Sequence, residues 1–190
     1  MKKLIVTAFG SVILSSALFA AGLDKTSIKI DFEGYKTANM IGTKGMFKTA
    51  TFNLKKDDSS LATQLTGATV VLSPKDIDMG GEANQLITDN IVNAFFGTLN
   101  NKNDFKVEIV NVLEGEGKGT ISAKVIINRQ TEIIPLTYTI TGKDFQAQGR
   151  LDLAVFSNSA KALKALSDAA PGHLNLSWNI VDVTITGKLK

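Results

Sequence analysis

The chain has 190 residues, 44% of them hydrophobic, with no cysteine and one histidine, and a formal charge of +3. The missing cysteine excludes disulfides, thiol nucleophiles and a lipid-modified N-terminal cysteine. The basic residues are scattered among acids rather than gathered in a patch, which excludes a nucleic-acid footprint.

Met1-Lys2-Lys3 precedes an apolar run from Leu4 to Phe19 and the small residues Ala20-Ala21-Gly22. This is the layout of a secretory signal peptide over residues 1–22, with cleavage after Ala20 to Gly22. A membrane-spanning helix is the rival reading, but Thr7, Gly10, Ser11, Ser15 and Ser16 interrupt the run, which is short of the roughly 20 residues needed to span a bilayer. Removing it takes two lysines and no acid, so the mature charge falls to +1 over 168 to 170 residues, which suits one domain. With no lipid anchor and no later apolar span, the expected address is the periplasm, or the medium beyond it.

From Ser27 to Tyr35, Ile28, Ile30 and Phe32 alternate with Lys29, Asp31 and Glu33, as in a half-buried strand. Met46 to Leu54 reads as a second strand whose apolar phase slips between Phe47 and Ala50, which calls for a bulge. Lys55 to Gly67 reads as a polar connection, and Ala68 to Ser73 as a third strand ended by Pro74. Ile87, Ile91, Ala94 and Phe95 recur at helical spacing between Gly81 and Leu99. Phe105, Val107 and Ile109 then start the strand before the hairpin from Gly119 to Gly142. In that hairpin Ile121, Ala123, Val125 and Ile127 share one face, as do Ile134, Leu136, Tyr138 and Ile140. Phe145 to Val155 alternates cleanly, Ser157 to Ala169 reads as a short helix stopped by Pro171-Gly172, and Leu174 to Lys188 is a long strand with a phase slip near Ile180.

These elements predict an all-β protein with short helices: an eight-stranded antiparallel β-barrel plus two helices, spanning residues 23–190. Eight strands enclose a space that side chains fill or that holds one small ligand. An outer-membrane barrel would need the opposite placement of polar and apolar faces.

No catalytic set emerges. His173 has no cysteine to join it and sits in a loop, where it reads as a surface residue. Asp76, Asp78 and Glu82 fail calcium-loop spacing, because the twelfth position is Ile87. Gly115 to Gly119 lacks the spacing of a phosphate-binding loop and sits between strands. Glu132 and Asp152 fall on outward phases, so nothing in the sequence joins two carboxylates. No metal and no cofactor are expected, and the protein reads as a non-enzyme. The small inward residues Ala123, Ala147 and Gly149 either leave an oily cavity or oppose larger partners, and periodicity alone does not choose between the two.

The order of motifs resembles the YceI-like family of bacterial secreted proteins: Ser27 to Phe32, Gly45-Met46-Phe47, Asp76-Ile77-Asp78, Thr88-Asp89, Phe95-Phe96, Asn128 to Leu136, and Trp178-Asn179 followed by Val181, Val183 and Ile185. The resemblance implies a lipocalin-like barrel that binds a polyisoprenoid or another long-chain lipid. It departs at Thr26, Thr88 and Ile91, where the family often carries histidine or arginine, so the lipid's head group is left open. The expected function is a periplasmic carrier for an isoprenoid, isoprenoid quinone, fatty acid or fatty amide. Ile121, Ala123, Val125, Ala147, Gly149 and Leu151 are expected to line the cavity, with Tyr138 at the ligand's polar end and Phe95, Phe96 and Trp178 at the mouth. A secreted stress or adhesion factor without a small ligand is the alternative, and a lipid-modifying enzyme a lesser one. Exposed strand edges allow a homodimer.

Overall fold

The hairpin that dominates the sequence is also the longest ladder of the fold. A computed structural model describes residues 22–190, so the expected signal peptide, apart from Gly22, lies outside the described residues. The strands are β1 (Lys29–Lys36), β2 (Ile41–Phe47), β3 (Thr51–Asn53), β4 (Thr69–Leu72), β5 (Ile77–Asp78), β6 (Phe105–Glu114), β7 (Lys118–Ile127), β8 (Gln130–Thr141), β9 (Asp144–Asp152) and β10 (Ser177–Lys188). They form one antiparallel sheet in the order β3-β4-β6-β7-β8-β9-β10-β1-β2-β5.

Ten strands replace the expected eight because the Met46 to Leu54 run is broken in the middle and because Ile77–Asp78, beyond the expected end of the third strand at Pro74, pairs as a further short strand. Only Lys48 to Ala50 separate β2 from β3, and Ser73 to Asp76 separate β4 from β5. β3 pairs with β4 and β2 with β5: Thr51 to Asn53 with Val71 to Thr69, then Met46 and Phe47 with Asp78 and Ile77. The Lys48 backbone N–H donates to the Asp76 carbonyl at 2.8 Å and bridges the gap. Both ends of the sheet therefore meet on the same two stretches of chain, and the curled sheet comes round on itself. The phase slip between Phe47 and Ala50 marks this break, and the slip near Ile180 marks a shift in pairing, where Gly34 faces Val181 but Lys36 faces Ser177.

Helices close the two ends. At the lower end α1 (Leu61–Leu65) lies within the stretch expected to be a polar connection. The Ser60 hydroxyl caps it by accepting from the Thr63 N–H at 3.0 Å, and Leu61 and Leu65, four apart, bury one face. Gln64 clamps the start of the described chain, accepting from the Leu23 N–H at 2.8 Å and donating to the Leu23 carbonyl at 3.0 Å. At the upper end α2 (Gln85–Asn90) runs through a π-helical turn (Ile91–Phe96) into α3 (Gly97–Asn100), beside α4 (Ser159–Ala169). The wide turn lets the adjacent Phe95 and Phe96 both face inward, each at least 92% buried. Leu153 and Val155, expected to continue a strand, form a 3₁₀ turn whose N-terminus is capped by the Asp152 carboxylate.

The β7–β8 connection is a two-residue turn with Asn128 and Arg129 at φ 50° and 65°, the conformation that matches the twist of the flanking strands. The Asn128 amide donates to the Leu99 carbonyl at 2.6 Å and ties the hairpin tip to α3. On the outer surface the two carboxylates read as separate do approach. Burial and the Asp152 charge raise the Glu132 pKa, while the Asp152 backbone N–H works against this, and one Glu132 oxygen is buried without a partner.

Two outcomes follow. Arg129 is exposed and pays for a left-handed backbone, so Arg129→Gly is expected to raise unfolding stability by about 0.5–1 kcal/mol in urea titrations, with an unchanged m-value. Because folding raises the Glu132 pKa, its contribution is full below the unfolded pKa and is lost as pH rises through the folded one. Glu132→Gln removes that loss, so the variant is expected to melt above the parent at pH 7, with the difference shrinking at pH 4.

Candidate functional site

Along the inner face of the barrel, side chains fill the lower half and leave the upper half open. At the bottom Ile121, Tyr138, Phe145 and Ala147 are each at least 97% buried. Tyr138 packs on Phe145 with ring centroids 5.5 Å apart and lies opposite both Ala147 and Gly119. A Cβ at Gly119 would collide with the Tyr138 ring, and one at Gly149 with the Leu136 side chain. The small residues therefore make room for Tyr138 and Leu136. Of the expected lining, Ile121, Tyr138 and Ala147 sit in this packed end, and Gly149 lies against Leu136 without itself lining the cavity described next.

Above them lies a cavity of about 420 Å³, within the range of small-molecule sites. Ala123, Val125 and Leu151 of the expected set line it, and so do Phe95, Phe96 and Trp178. The π-helical turn hangs Phe95 and Phe96 into the barrel, edge to face at 5.0 Å. Phe96 stacks on Phe105 at 5.8 Å, Phe105 meets Phe47 at 5.9 Å, and Phe47 meets Phe32 at 5.6 Å. Phe32, Phe47 and Phe105 were not among the expected liners. Their inward phases were legible, but the height of each strand in the barrel was not.

The rest of the wall is hydrocarbon, supplied by Ile30, Val70, Leu72, Val181, Val183 and Ile185 among others. Polar groups gather only at the upper rim. Trp178 is fixed there by donating from Nε1 to the Thr37 carbonyl at 2.7 Å. Thr37 is itself buried with φ 60°, a costly conformation for a β-branched residue. Lys36, Asn90, His173 and Ser177 complete the rim. His173, expected as a surface residue, is half-buried, and its Nδ1 lies 2.7 Å from the Ser177 hydroxyl. Burial and the neighbouring Lys36 charge lower its pKa, so the ring is held neutral more firmly than a free histidine. Around this opening the apolar side chains of Met40, Ile41, Leu86, Leu174 and Leu176 are exposed.

No group of three or more residues suited to holding a metal occurs among the described residues, and none of their helices is long and apolar enough to cross a membrane. The geometry offers an oily chamber with one polar rim.

No known family's sequence profile matches the chain, and no curated protein matches it in sequence. Solved structures do match in fold. BcnA of Burkholderia cenocepacia superposes with a TM-score of 0.57 at 15% identity, covering 88% of this chain and 99% of that one. The YceI protein of Campylobacter jejuni gives 0.51 at 14% identity, and a mutant of it 0.54 at 14%, each covering 82% of this chain and 90% of that one. The chain thus shares the fold of BcnA and of the Campylobacter jejuni YceI protein, the fold that the resemblance in the motifs implied.

Proposed function

We propose that this protein is an exported carrier that holds one long-chain amphiphile, an isoprenoid, isoprenoid quinone, fatty acid or fatty amide, with its tail in the barrel and its polar end at the rim. The carrying observation is the cavity of about 420 Å³ above a close-packed floor. Native interiors pack at crystal density and tolerate few voids, so a hydrocarbon-lined space of this size is completed by an apolar guest. Each methylene moved from water into it contributes about 0.8 kcal/mol, so a long tail binds with few polar contacts. The signal-like residues 1–22 support a periplasmic address, and the shared fold supports the lipocalin-like reading.

Mass spectrometry of an organic extract of the purified protein is expected to find a long-chain lipid in stoichiometric amount. Val125→Phe fills the chamber from the β7 wall and is expected to weaken binding of a long-chain probe about tenfold or more, with an unchanged circular dichroism spectrum. An empty extract together with equal probe affinity in Val125→Phe would sink the carrier reading.

A further inference from the structure

The rim carries hydrogen-bond bookkeeping that narrows the ligand's polar end. Three contacts run in series: Ser167 Oγ to the Leu163 carbonyl at 3.0 Å, Ser167 Oγ to Ser177 Oγ at 2.7 Å, and Ser177 Oγ to His173 Nδ1 at 2.7 Å. A carbonyl only accepts, so Ser167 spends its one hydrogen on Leu163. Ser177 must then donate to Ser167, which spends its hydrogen too. The remaining contact is made only if His173 carries its proton on Nδ1 and donates to Ser177. In the neutral ring Nε2 is left as a bare acceptor. It has no hydrogen-bond partner among the described residues and is not among their sealed, unpaired atoms.

On the same rim stands Lys36, the one lysine or arginine lining the cavity, close enough for its charge to act on the His173 ring. Its Nζ lies 3.9 Å from where a Cβ on Gly172, the neighbour of His173, would sit. Among the described residues it forms no ion pair with a carboxylate. A cation and a bare acceptor on one rim make opposite demands on a ligand. An alcohol or amide satisfies Nε2 and leaves the lysine unpaired. A permanent anion such as a sulfate ester satisfies the lysine and turns an oxygen lone pair toward Nε2. An acid that carries its own proton meets both.

We propose that Lys36 and His173 form the head-group site of the carrier and select a protonatable acid, a carboxylic acid or phosphate monoester, at the end of the apolar chain. This rests on the carrier reading and goes beyond it by naming the head group. One oxygen of the acid accepts from Lys36 Nζ. The acid's proton is held on, or passed to, Nε2, and the imidazolium and anion that result remain paired, so no net charge is created. Ser177 and Ser167 act as positioning residues that hold the ring in one tautomer.

Trp178 is the only tryptophan and His173 the only histidine of the chain, so each gives an unambiguous signal. Titrating hexadecanoic acid, hexadecyl phosphate, hexadecanol and hexadecyl sulfate against Trp178 fluorescence is expected to show one or both acids binding about tenfold or more tighter than the alcohol and the sulfate. Which acid leads separates a fatty acid from a phosphorylated lipid as the source. Lys36→Met is expected to close the gap between acid and alcohol to within about twofold, and Lys36→Arg to retain it. Nitrogen NMR of the ligand-free protein is expected to show Nδ1 protonated and Nε2 bare. Equal affinities for acid and alcohol, a gap that survives in Lys36→Met, or a proton on Nε2 in the free protein would each overturn the head-group site and leave the carrier standing. Failure of all four probes to bind would overturn both.

Discussion

The rest of the structure depends on how a curled sheet disposes of its two edges. An open edge presents a row of unpaired backbone groups that invites pairing with another chain. Here both edges are formed by halves of the same two strands, β2 with β3 and β4 with β5, broken at Lys48 to Ala50 and Ser73 to Asp76 and paired half to half. The breaks let each strand bend where the wall turns most sharply, and the Lys48 to Asp76 hydrogen bond keeps the gap bridged. A sheet brought round in this way has an inside, and the question becomes what fills it.

It is filled unequally. The lower half is a close-packed core in which small residues face a large one, Ala147 and Gly119 across from Tyr138, and Gly149 makes room for Leu136 where the chamber begins. Leu23, Leu61 and Leu65 seal that end. The upper half has hydrocarbon on its walls and two helices over its mouth, and the π-helical turn brings Phe95 and Phe96 in as part of the lining. Close packing and open space are thereby separated along one axis. The floor supplies apolar burial that does not depend on the chamber above.

The rim is where the polar groups that line the chamber are concentrated. Lys36, His173 and Ser177 come from the end of β1, the loop after α4 and the start of β10. Their alignment comes from the pairing of Lys36 with Ser177 across the irregular β1–β10 ladder. The same irregularity places Trp178 over the Thr37 carbonyl. The exposed Met40, Ile41, Leu86, Leu174 and Leu176 surround the opening through which an amphiphile would pass. A small backbone shift thus sets the polar end of the site, while strand periodicity sets the apolar end.

The fold class was legible from the alternation in Ile121 to Ile127, Ile134 to Ile140 and Phe145 to Leu151, because side chains on a strand alternate faces whatever surrounds them. The slips near Phe47 and Ile180 located real irregularities for the same reason. That the Met46 to Leu54 run would divide and Ile77–Asp78 would pair as a tenth strand was not legible, since both depend on pairing partners remote in sequence. Alternation also says which face a residue occupies and nothing about its height along the barrel, so Ala123 and Ala147 read alike although one lines the chamber and the other packs the floor. His173 read as a loop residue because its partners, Ser177 and Lys36, are brought to it by strand register and loop closure. The sequence by itself determined an antiparallel wall with one oily face and short helices. Only the tertiary structure decided where that wall is full, where it is hollow and which polar groups meet at its mouth, because those depend on distances between strands that local periodicity does not encode.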